Sequence, residues 1–106
     1  METPDPLLPS AAVTIREVFD DETSGLLPSA SMEEVRTFLE GKLTALLSTN
    51  PILLMSLLYQ IDVPEKEVKA AFLQAPSGEL AGELADLIIE RQLQKVRIRR
   101  SFQQGP

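Results

Sequence analysis

Between Asn50 and Asp62 the chain reads PILLMSLLYQI, eleven residues without a single charge. Ser56 and Gln60 are its main polar breaks, so a helix built on it is apolar almost all the way round. Such a helix belongs at the centre of a packed unit. Asn50-Pro51 supplies the start, because asparagine caps and proline at the first helical position gives up only an N–H that has no partner. The run is far shorter than the ~20 residues that span a bilayer, so no membrane segment is expected.

The rest of the chain supplies the surroundings. Ser31-Met32-Glu33-Glu34 is a capping box, in which the serine oxygen accepts from an orphan N–H and Glu34 reaches back. After it, apolar residues at 35, 38, 39, 43, 46 and 47 keep a 3.6-residue period with one inward stripe. Gly41 lies inside that pattern and weakens the helix unless a neighbouring backbone approaches closely. Asp62-Val63-Pro64-Glu65 ends the apolar helix and opens another, with Asp62 as the cap and Val68, Ala71 and Phe72 facing inward. Ala75-Pro76-Ser77-Gly78 is a loop before a last helix. The expectation is an all-α bundle of four helices at about 32–47, 51–61, 64–74 and 79–100, with Leu54 and Leu58 in the core.

Residues 1–30 differ in composition. They hold Pro4, Pro6, Pro9 and Pro28 and six acids against Arg16 alone. This segment is read as flexible and acidic, leaving 31–102 as the helical domain. About 75 residues give a core worth only ~3–5 kcal/mol, so a second copy or a partner is a natural source of stability. LLPSA occurs twice, at 7–11 and 26–30, and Thr14-Ile15-Arg16-Glu17 spells another capping box with Ile15, Val18 and Phe19 on one face. A short helix over about 14–20 that folds on a partner is the functional reading of that stretch.

The chemistry is narrow. There is no histidine, cysteine or tryptophan, which removes the usual neutral-pH base, the thiol nucleophile and the imidazole and thiolate metal ligands. Asp20-Asp21-Glu22-Thr23-Ser24-Gly25 lacks the alternate ligand spacing of a calcium loop. Glu79, Glu83, Asp86 and Glu90 recur at helical spacing but read as a solvated face. No enzyme, cofactor or metal is expected. Neither a basic start nor an apolar leader opens the chain, and the expected location is the cytoplasm.

Leu57 to Phe72, LLYQIDVPEKEVKAAF, resembles a helix-turn-helix. It departs from that family at Asp62, where glycine is usual, and in its second helix, where Glu65 and Glu67 offset Lys66 and Lys69. A DNA-binding regulator is therefore the alternative, with nucleic acid not the favoured partner. NPILLMSLLYQIDVPEKEVKAAF followed by LADLIIERQLQKVRIRR is also similar in pattern to small uncharacterised bacterial all-helical proteins, over about residues 50–100. That resemblance implies no activity and no site.

The favoured reading comes from the last helix. Residues 1–90 carry all sixteen acids against five bases, a net charge of −11, and the other five bases fall at 91–100. Leu80, Leu84, Leu87 and Ile88 form one apolar stripe; Ile89, Leu93 and Val96, joined by Ala85, form a second on nearly the opposite side. Arg91, Lys95 and Arg99 repel along one row, which macrodipole compensation does not explain. A partner that is acidic and partly apolar would. The expected interface is Ile89, Leu93, Val96, Arg97, Arg99 and Arg100, most simply in a homodimer of antiparallel last helices, with a further protein partner possible. Arg97 and Arg99 would then sit beside Glu83 and Asp86 of the other copy.

Overall fold

The computed structural model describes residues 6–19, 30–76 and 78–103. Its elements are α1 (Leu8–Phe19), α2 (Met32–Thr49), α3 (Pro51–Gln60), α4 (Glu65–Gln74) and α5 (Leu80–Gln103). The described residues contain no strand. The all-α expectation stands, but with five helices among the described residues in place of four.

The added helix is α1. It begins at Leu8, six residues ahead of the capping box expected at Thr14, and opens inside the first LLPSA copy. Pro9 fits in that first turn because its missing N–H would have found no helical acceptor there. Leu8, Ala12, Ile15 and Phe19 recur at three- and four-residue spacing and are buried in the common core. Residues 8–19 thus correct the expectation of a mobile leader; residues 1–5 and 20–29 of that segment lie outside the described residues.

The other boundaries follow from local chemistry. Ser31 Oγ accepts from the Glu34 N–H at 3.1 Å, and Glu34 accepts from the Ser31 N–H at 3.0 Å. That hydrogen bonding holds the Glu34 carboxyl below its ordinary range. Val35, Leu39 and Leu43 fill the inner face of α2. Asn50 Oδ1 caps α3 by accepting from the Leu53 N–H at 3.1 Å, with Pro51 in the first turn.

The arrangement of the helices departs from expectation. The helix around which the others gather is α5, which packs on α1, α2 and α4, whereas α3 packs chiefly on α2 and α1. At 24 residues α5 is about 36 Å long, most of the molecule's 46 Å long axis. Leu84 and Ile88 are buried on one of its stripes, Ala85, Ile89 and Val96 on the other. One chain buries both stripes, with α1, α2 and α4 packed along α5. Among the described residues, no helix is long and apolar enough to cross a membrane.

Candidate interaction surface

The expected interface residues on α5 are largely consumed within the chain. Ile89 and Val96 are only 5% and 3% exposed, and Leu93 packs at the edge of the core. Arg91 donates from Nε to the Asp62 carbonyl and from Nη2 to the Asp62 carboxylate, both at 3.0 Å. Lys95 Nζ stands 3.6 Å from the same carboxylate. Two of the three bases in the like-charged row therefore face an acid of their own chain. Arg100 lies 3.4 Å from Ser10 Oγ on α1. Asp86, assigned to a partner's arginines by the sequence, is instead held by Arg36 of α2 at 2.8 and 3.3 Å. Arg97 and Arg99 remain exposed, with no ion pair among the described residues.

Two polar contacts that sequence reasoning missed fix the α3–α4 turn on α5. Gln92, 2% exposed, donates from Nε2 to the Ile61 carbonyl at 2.7 Å. Its position between the two apolar stripes, four residues from both Ile88 and Val96, was the available signal. Asp62 has φ +67°, the left-handed conformation that asparagine and aspartate tolerate better than most residues. The Val63 N–H donates to the Leu58 carbonyl at 3.2 Å and the Asp62 N–H to the Tyr59 carbonyl at 3.1 Å. This is a Schellman ending, with Asp62 where glycine is commonest. Asp62 was expected to cap α4, yet α4 has no side-chain cap; the Asp62 carboxylate is turned to Arg91 and Lys95. The Arg91 hydrogen bond, then the Lys95 and Arg91 charges, hold its carboxyl below the ordinary range.

Securing the turn this way orients α3. Leu54 and Leu58 are buried, as the core expectation required. The opposite side carries Ile52, Met55, Ser56 and Tyr59, spaced i, i+3, i+4 and i+7, and all are exposed. Ile52 is 83% exposed and Tyr59 88%. Beside this row runs a groove of about 360 Å³ between α3 and α4, with Met55, Tyr59, Val63 and Val68 in its walls and Asp62 and Glu65 among its lining residues. Phe72, expected inward, is half-exposed one turn beyond Val68. It sits on the row that Glu65 and Val68 start.

Glu79, Glu83, Asp86 and Glu90 all face solvent. Among the described residues, no group of three or more candidate ligands is placed to hold a metal ion. Comparison of the chain with protein families, curated proteins and solved structures gave no match.

Proposed function

We propose that this chain is a non-enzymatic helical protein that works by binding other protein surfaces, and that the outward row of α3 is the surface it offers. One observation carries the reading. In a chain of which 25% of residues are charged, the helix most exposed in its apolar residues has no charge at all. Covering a large apolar side chain is worth about 1.5–3 kcal/mol, so Ile52 and Tyr59 in water are a standing drive toward association. Contiguous apolar surface of that kind marks interaction sites in proteins generally. A photo-cross-linking residue placed at position 52 of the full chain, expressed in cells, should capture protein. The same residue at Thr37, exposed on α2, should not. Equal capture at both positions, or none, rejects the reading.

A DNA-binding regulator using residues 57–72 is the second reading, and one observation favours it. Asp62 adopts the backbone conformation that glycine usually provides in a helix-turn-helix, which removes one departure from that pattern. The other departure stays, since Lys69 pairs with Glu65 at 3.2 Å and α4 offers phosphates no net positive charge. Binding to duplex DNA that falls steeply with salt would support this reading over the first.

A further inference from the structure

This chain has carboxylates to spare, yet the end of α5 pairs with none among the described residues. Sixteen acids stand against ten bases, and Arg36, Lys69, Arg91 and Lys95 each pair with an acid. Arg97, Arg99 and Arg100 have no ion pair among the described residues; Arg100 reaches the Ser10 hydroxyl instead. Residues 97–101 are all exposed, although they take every direction round the helix, so α5 projects here past the core. The helix dipole accounts for Arg100, in the last turn, but its effect fades before Arg97 and Arg99.

Ile98, 47% exposed, lies between Arg97 and Arg99, about 100° round the helix from each. The surface is thus an apolar centre with a guanidinium on either side. Its complement is an apolar side chain set between carboxylates. Arginine's planar fork matches carboxylates two bonds at a time, and protein interfaces favour arginine over lysine. Three arginines neutralise few phosphates of a nucleic acid, and Ile98 gains nothing from a phosphate backbone. Glu90, the last acid of α5, stands about 10 Å from Arg97 along the axis, beyond the screening length of about 8 Å, so it does not cancel the patch. A second copy fits less well. Setting Arg97 on Glu83 of an antiparallel α5 brings Glu90 onto Glu90 at the two-fold axis, and Asp86 is already held by Arg36.

We propose that the end of α5, with Ile98 between Arg97 and Arg99, docks an acidic segment of another protein that carries an apolar side chain among its carboxylates. Different residues carry this surface and the outward row of α3, so either can fail without the other.

Fluorescence anisotropy of a synthetic helical peptide of glutamate and leucine, titrated with the full chain, should show binding that weakens as salt rises. Arg97→Glu combined with Arg99→Glu should weaken it at least about tenfold, and Ile98→Ala about threefold. Helicity and melting should stay unchanged, because these side chains are exposed. Ile52→Ser on α3 should leave the binding as it is. Polyglutamate, which lacks the apolar residue, should bind at least about threefold more weakly. No binding of the peptide by the wild type overturns the proposal. So does binding that survives the two arginine reversals or is lost with Ile52→Ser. Duplex DNA or polyglutamate bound as tightly as the peptide would make this end a plain anion site. Self-association of the wild type that the arginine reversals abolish would make the occupant a second copy. Either of those results also overturns the proposal.

Discussion

Helices α3 and α5 exchanged the places that their compositions assign. The uncharged helix sits at the side of the bundle with one face in water; the helix with five bases in its second half runs through the middle. The difference teaches that hydrophobicity summed over a helix does not decide burial. What decides it is how many separate apolar rows neighbouring helices can cover. Helix α5 is long enough for α1, α2 and α4 to pack along it, and its charged residues leave between those neighbours toward Asp62, Ser10 and Arg36. Helix α3 is ten residues, about 15 Å, and packs chiefly on α2 and α1.

The sharpest way to break this comparison is to cut each row separately. Leu58→Ala on the buried side of α3 should cost about 2–5 kcal/mol in denaturant melts, and so should Ile88→Ala and Ile89→Ala on the two faces of α5. Ile52→Ala, on the outward side of α3, should stay within about 0.5 kcal/mol when measured on the monomer. If Ile89→Ala were nearly neutral, α5 would not be enclosed on both sides. If Ile52→Ala were as costly as Leu58→Ala, α3 would be central after all.

Gln92→Leu is next in size. It keeps a similar volume but leaves the buried Ile61 carbonyl without its donor, which should cost about 1–3 kcal/mol. No loss would mean that the α3–α4 turn is not held on α5 by this bond. The two helical glycines give a smaller, signed test. A Cβ on Gly41 meets nothing within 4 Å, so no close approach offsets the helix cost of glycine there. Gly41→Ala should therefore raise stability by about 0.5–1 kcal/mol in thermal melts. On Gly82 a Cβ would stand 3.0 Å from Arg36 Nη2 and 3.2 Å from Glu40 Oε1, at the contact of α2 with α5. Gly82→Ala should gain less, because it disturbs the Arg36–Asp86 pair.

The smallest effect is acid sensitivity of the turn. The folded-state pKa of Asp62 is depressed below its ordinary value near 3.8. Its contribution is therefore fully present above that value and is lost as pH falls through the depressed one. Because the carboxylate is well exposed, the loss should be slight and weakened by salt. A titration of Asp62 followed by NMR should show its midpoint rising toward the ordinary value in Arg91→Gln. No change would mean that Arg91 does not hold this turn.

The apolar residues of α3 and α5 are legible in the sequence, but which of them stay exposed is not. Ile52, Met55 and Tyr59 were read as part of a central helix because both sides of PILLMSLLYQI are apolar and periodicity cannot choose between them. The stripe of Ile89 and Val96 has no visible cover in the sequence, because α1, which also packs on α5, lies in a segment rich in prolines and acids. Leu8, Ala12, Ile15 and Phe19 were readable as a helix face, yet four prolines in thirty residues argued against it.

By itself the sequence determined the starts of α2 and α3 and the buried row of α2, because a capping serine, a capping asparagine followed by proline, and a 3.6-residue period act within a few residues. It also determined that α5 has two apolar stripes and α3 no charge. Only the tertiary structure decided which stripe meets which helix, that Arg91 and Lys95 meet Asp62, and which side of α3 is left in water. Those outcomes depend on contacts between different helices, such as Asp62 with Arg91 and Arg36 with Asp86, whose free energy is shared across the whole core. No local pattern encodes which of two equally apolar faces the rest of the chain will have enough surface to cover.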